Sequence, residues 1–144
     1  MRGIVLFAHG ARDPQWALPF EAIRDRVRLH KPESPIALAY LELMSPTLEE
    51  AIAAVIAEGA PSVTVFPLFM AQGGHLKQDL PRILESIRQS YPHVPISLET
   101  AVGEVPEILD AIRARYPKIP IALESAIGEV PEILDAISGW ILKK

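Results

Sequence analysis

The chain has 144 residues, 49% of them apolar and 22% charged, a size and balance that fit one globular domain with a single core and leave little room for two. No apolar stretch approaches the roughly 20 residues that cross a bilayer, and the opening MRGIVLFAHGARD turns polar too early for a signal peptide, so a soluble cytoplasmic protein is expected. The absence of cysteine excludes disulfides, thiolate metal sites and iron–sulfur clusters, and a net charge of -4 lacks the basic footprint of a nucleic-acid binder.

Apolar runs rich in Val, Ile and Leu alternate with amphipathic stretches of helical length, the pattern of βαβ units on a parallel sheet. We read strands over Gly3 to Ala8, Pro35 to Leu41, Ser62 to Phe69, Pro95 to Glu99 and Pro120 to Glu124, with helices between them. Asp13-Pro14 and Ser45-Pro46-Thr47 mark helix entrances, because Asp, Ser and Thr cap free amides and proline suits the first turn. Leu76, Leu80, Ile83, Leu84 and Ile87 recur at helical spacing and predict one buried face, and Tyr91-Pro92 ends that helix.

The tail repeats itself. YPHVPISLETAVGEVPEILDAI (91–112) returns as YPKIPIALESAIGEVPEILDAI (116–137) with five differences, at His93/Lys118, Val94/Ile119, Ser97/Ala122, Thr100/Ser125 and Val102/Ile127. Each copy reads as one strand plus one helix, and the near-identity points to recent duplication or to engineering. The second copy ends ISGWILKK, where Trp140 and Ile141 can dock on a core and the lysines suit a helix terminus. Two copies fall short of the three or so that a solenoid needs. The expected whole is a single domain over 1–144, a three-layer α/β open parallel sheet of five strands in the flavodoxin-like order 2-1-3-4-5.

In such a sheet, ligands bind beyond the carboxyl ends of the strands. His9 follows the first apolar run and His75 the third, each beside a glycine-bearing turn (AHGA, AQGGH). If those strands are neighbours, about 4.8 Å apart, both imidazoles reach one metal or one flat ligand. Glu42 closes the second run and would add a carboxylate, giving a nitrogen and oxygen set suited to a divalent transition metal. The competing readings are plain ones: histidines satisfied in the core or at the surface, and a glutamate pointing into water. Arg12 and Lys77, close behind the two histidines, are rim cations for an anionic ligand or ordinary solvated charges. His30 and His93 read as surface residues, Phe66, Phe69 and Met70 as core ahead of ligand-facing, and Trp16 as a cleft residue or an anchor for the first helix. No G-x-G-x-x-G or GxxxxGK[ST] loop occurs, and no organic cofactor is called for.

AHGARD, LELMSPTLEEAI and VTVFPLFMAQGGHLKQDLP, in that order and at that spacing, resemble the small single-domain sirohydrochlorin chelatases (CbiX-type), cobalt- and nickel-inserting members alike. The likeness runs from Met1 to about Ile112 and, more loosely, covers ISGWI. It implies a chelatase-type α/β domain resembling half of a two-domain enzyme. It also implies a homodimer with a tetrapyrrole in the cleft, His9 and His75 as catalytic and metal-binding groups, and Glu42 as a further metal ligand. Co²⁺ or Ni²⁺ is then substrate, sirohydrochlorin its acceptor, and Arg12 and Lys77 face the macrocycle's carboxylates. The departure is the second strand-helix copy, which would add a fifth strand and perturb the dimer. The expected function is insertion of Co²⁺ or Ni²⁺ into sirohydrochlorin, a step of cobalamin or related cofactor biosynthesis. The alternatives are a metal or tetrapyrrole carrier without turnover, and an engineered scaffold probing how a duplicated unit alters a fold.

Overall fold

The computed structural model describes residues 1–69, 74–115 and 131–144. Strand β1 (Gly3–Ala8) is buried along its whole length because it is paired on both sides. Strands β2 (Ile36–Tyr40) and β3 (Val63–Pro67) run parallel to it, with Ala8 opposite Tyr40 and Phe7 opposite Pro67, and β4 (Ile96–Leu98) continues from β3. The described strands therefore stand in the order β2-β1-β3-β4, the first four of the expected series. The fifth strand expected at 120–124 lies outside the described residues. β1 has the expected bounds, while β2, β3 and β4 are shorter than the runs that announce them; after β3, pairing stops while burial continues through Leu68 and Phe69.

Strand alternation sends side chains to two separate cores. Ile4, Leu6, Ala8, Ile36, Leu38, Tyr40 and Phe66 face one side, where α1 (Leu18–His30), α4 (Pro106–Arg115) and α5 (Pro131–Lys143) close over them. Val5, Phe7, Ala39, Val63 and Val65 face the other, beneath α2 (Leu48–Ala57) and α3 (Gly74–Ser90). Each fully buried Leu, Ile or Phe in these layers stabilises the fold by about 1.5–3 kcal/mol, which is why the β1 run GIVLFA carries no polar residue. Of the face predicted for α3, Leu80, Leu84 and Ile87 are buried and Leu76 packs at its edge. Ile83 is instead 37% exposed, because it stands at the rim of a recess of about 260 Å³ shared with Leu41 and Leu48.

Both expected helix entrances are built from side-chain caps. Asp13 Oδ1 accepts from the Gln15 amide at 2.9 Å and starts a 3-10 turn, Pro14–Ala17, that leads into α1. The Thr47 hydroxyl accepts from the Glu50 amide at 3.2 Å and donates to the Glu50 carboxylate at 3.1 Å, a reciprocal arrangement at the start of α2. The repeated PEILDAI segment behaves alike in its two copies: Ile108 and Ile112 of α4 and the equivalent Ile133 and Ile137 of α5 are all buried in the same core. The copies differ in the residues just beyond that segment. Trp140 of α5 meets Phe66 edge to face at 5.5 Å, Ile141 is fully buried, and Lys143 Nζ donates to Glu107 Oε2 of α4 at 3.1 Å.

The sheet also ties down the segment beyond its carboxyl edge. The Leu41 amide donates to the Ala8 carbonyl and the Glu42 amide to the His9 carbonyl, so the β1–β2 alignment runs two residues past the strands. Gly10 makes this approach feasible: its φ is +100°, and a Cβ there would overlap the Glu42 carbonyl oxygen. Gly139, in α5, has open space where its Cβ would be. Gly10→Ala is therefore expected to cost more than about 2 kcal/mol in urea unfolding, and Gly139→Ala to add about 0.5–1 kcal/mol. Tyr40 supplies a pH prediction. Burial against α1 pushes its phenol above the ordinary value, the Glu21 carboxylate adds to the shift, and Arg24 opposes it. The folded form thus holds this proton more tightly, so its contribution to stability is complete below about pH 10 and is lost as pH rises through the raised folded value. A tyrosinate absorbance titration should show Tyr40→Phe removing a component whose midpoint lies above 10.

Candidate functional site

The carboxyl end of β1, one of the two inner strands among the described residues, carries the first candidate residue. His9 sits immediately after Ala8, and the backbone bond between Glu42 and His9 sets the two side chains abreast. His9 Nε2 lies 3.0 Å from Glu42 Oε1. In this contact a proton on Nε2 of the imidazole donates to the carboxylate oxygen. The side chains are 48% and 55% exposed, which makes this a site open to solvent and worth little to stability as an ion pair. Behind it, Phe69 presents its ring edge-on to His9 at 6.3 Å and is itself held by Phe7 at 5.3 Å, giving the imidazole an apolar wall.

The spacing of the pair has a chemical meaning. Two ligands each about 2.1 Å from one metal ion and at right angles stand about 3.0 Å apart. A cation that replaced the shared proton would thus find adjacent nitrogen and oxygen ligands already set, from residue types that suit a divalent transition metal. Among the described residues no cluster of three or more His, Cys, Asp or Glu side chains is arranged around one point.

The remaining expected residues fall in different places. His75 is the second residue of α3, the helix that follows β3, so its backbone starts from the carboxyl end of a strand next to β1; its side chain lies outside the described set. Lys77 follows in the same first turn and is exposed, and Arg12 is exposed in the segment between His9 and the 3-10 turn. His30 is exposed with Nδ1 against the Arg26 carbonyl at 2.9 Å, and His93 is exposed at the amino-end side of β4, so neither joins the pair. Trp16 takes the anchoring role, packed on Phe20 at 4.6 Å and near Tyr40 at 6.4 Å; Phe66 is core, and Met70 lies outside the described residues.

Two features of the site are not signalled by residue type alone. Gly10 appears in the sequence only as a turn glycine, yet it admits the Glu42 carbonyl. Leu43 directly follows Glu42 with φ at +65° and is 60% exposed. A left-handed conformation costs a residue with a Cβ about 1–2 kcal/mol, and no motif in LELMSPT announces it.

Residues 3–119 match the CbiX family model, so the match takes in the first repeat copy and stops before most of the second. A sirohydrochlorin cobaltochelatase of Saccharolobus solfataricus is 37% identical over 84 residues, 58% of this chain and 64% of that protein. One of Methanococcus aeolicus is 32% identical over 84 residues, 58% of this chain and 59% of that protein. The chain thus matches less than two thirds of the length of these curated relatives. Among solved structures, a cobalamin (vitamin B12) biosynthesis CbiX protein of Marinobacter aquaeolei VT8 superposes with a TM-score of 0.65 at 32% identity, covering 81% of this chain and 93% of that one. The sirohydrochlorin chelatase SirB of Bacillus subtilis subspecies spizizenii, solved with cobalt, gives a TM-score of 0.68 at 27% identity, covering 83% of this chain and 51% of SirB. A family match over most of the length, on a parallel sheet that sets an imidazole after β1 beside a carboxylate after β2, establishes that the chain belongs to the CbiX family.

Proposed function

We propose that this protein is a chelatase that inserts Co²⁺ or Ni²⁺ into sirohydrochlorin, in cobalamin or related cofactor biosynthesis. The observation that carries the reading is the His9–Glu42 pair, set 3.0 Å apart and exposed at the carboxyl ends of β1 and β2 of a CbiX-family chain. Membership among proteins named for sirohydrochlorin and cobalt supplies the substrate class. No organic cofactor takes part: the metal is a substrate, and the tetrapyrrole is its acceptor.

Metal insertion asks three things of a protein. The hydrated ion must be held while it sheds water, two pyrrole N–H protons must leave, and the ring must stay within reach of the ion. Glu42 and His9 meet the first demand as adjacent ligands, with His75 as a further nitrogen from the start of α3. An imidazole nitrogen freed from the metal is a base for a pyrrole proton, and Glu42, which already accepts from His9, stabilises the resulting imidazolium. One M²⁺ enters as two protons depart, so a site with neutralising carboxylate and basic imidazole is chemically balanced. Arg12 and Lys77, both exposed, face the ring's carboxylates in this reading. Residues 1–144 act as a single domain, and a homodimer encloses the ring, its contact modified by the second repeat copy. No helix among the described residues is long and apolar enough to cross a membrane, and the reading places the protein in the cytoplasm.

Insertion is followed by the absorption change of sirohydrochlorin on adding Co²⁺ or Ni²⁺. His9→Ala and His75→Ala are each expected to lower the catalysed rate by about 10²-fold or more, and Glu42→Gln by about 10–100-fold. Because the His9–Glu42 pair is open to solvent, substitutions there should change unfolding free energy by less than about 1 kcal/mol. Rates equal to those of the unsubstituted protein would overturn the assignment, and stoichiometric binding without rate enhancement would make the protein a carrier. A single domain predicts one urea transition, coincident by tryptophan fluorescence and far-UV circular dichroism; two separated transitions would divide the chain.

A further inference from the structure

Leu43 carries two disadvantages at once. Its backbone is left-handed, with φ at +65°, and its side chain is 60% exposed. Asparagine or glycine would accept that backbone more readily and would put no apolar surface into water. The neighbouring residues use the loop differently: Leu41 lines the recess beside Ile83, and Met44 packs against the core that α1 covers. Leu43 alone in this segment offers a large apolar side chain to solvent. Its position is also held firmly. The Glu42 amide is bonded to the His9 carbonyl on one side, and the Tyr40 amide donates to the Pro46 carbonyl at 2.9 Å, closing the loop on the other.

From these observations we infer that Leu43 is a substrate-contacting residue that lies against the apolar surface of the tetrapyrrole and positions it over the His9–Glu42 pair. The inference rests on the chelatase reading and deepens it. A macrocycle centred on a metal at His9 and Glu42 is far wider than the gap between those side chains, so it extends over the residues beside them. Leu43 adjoins Glu42 and is exposed, so its side chain is available to that ring. Polar groups handle the metal and the ring's carboxylates, while the ring's faces are apolar and need a partner of the same character. A branched aliphatic side chain held out by a closed loop provides one, and burial beneath the ring removes in the complex the exposure it suffers in the free protein.

The test uses the full chain with metal-free sirohydrochlorin, its binding read by fluorescence, its metallation by absorbance, and Co²⁺ binding alone by calorimetry. Leu43→Asn is expected to weaken ring binding about tenfold or more, to raise KM with little change in kcat, to leave Co²⁺ binding without the ring unchanged, and not to lower Tm. Leu43→Gly, which accepts the same backbone, should reproduce the loss should the asparagine variant fold poorly. Leu43→Met should restore ring binding to within about threefold, because an apolar side chain of similar volume is retained. Asparagine and glycine variants that bind the ring as tightly as the parent overturn the inference while leaving the chelatase reading intact, as does a loss shared equally by Co²⁺ binding alone, which would show a general disturbance of the loop. A parent protein that neither binds nor metallates sirohydrochlorin overturns both.

Discussion

The site depends on one continuation of backbone pairing. β1 and β2 stop being strands at Ala8 and Tyr40, but the Leu41 and Glu42 amides go on donating to the Ala8 and His9 carbonyls. A side chain on a free loop samples many rotamers and many backbone positions, and bringing two such groups together costs conformational entropy at each encounter. Here the sheet has already met that cost, and His9 and Glu42 stand at hydrogen-bond distance as a consequence of register. Gly10 is the condition for it, since any Cβ at that position would occupy the space of the Glu42 carbonyl.

The geometry also explains why an exposed imidazole–carboxylate contact is informative in this molecule. As a contribution to stability such a pair is close to negligible. Its exposure is what a substrate requires: the imidazole is backed by Phe69 and Phe7, bonded on one side to Glu42, and open on the other. Rigid support with one free approach is the general form of a site whose ligands must be in place before the reactant arrives.

Much of this was legible in the residues. Buried parallel strands write themselves as unbroken apolar runs, and GIVLFA, IALAY and VTVFP are such runs, so the strands and the position of His9 at a strand end followed from pattern, while their order rested on the doubly wound fold type. Caps were legible for a similar reason, since Asp13 and Thr47 act on amides two or three residues away. Properties that depend on three-dimensional proximity were not. The periodicity of α3 places Ile83 with Leu84 and Ile87, yet the width of the buried stripe is decided by the neighbouring α2, which leaves Ile83 at a rim. Trp16 looks equally suited to a cleft or an anchor until Phe20 and Tyr40 are found against it. The left-handed Leu43 has no sequence signal, because the residue types that ordinarily mark that conformation are glycine and asparagine.

The twin helices α4 and α5 pose a question of identity within one molecule. Both bring the same isoleucines to the same core, so that surface cannot tell a folding chain which helix belongs in which berth. Discrimination passes to the few residues beyond the shared segment, where one copy continues as RAR and the other carries Trp140, set against Phe66, and the buried Ile141. A duplicated module thus acquires two addresses through its postscript, and the tryptophan serves as the label that keeps two interchangeable parts from exchanging places.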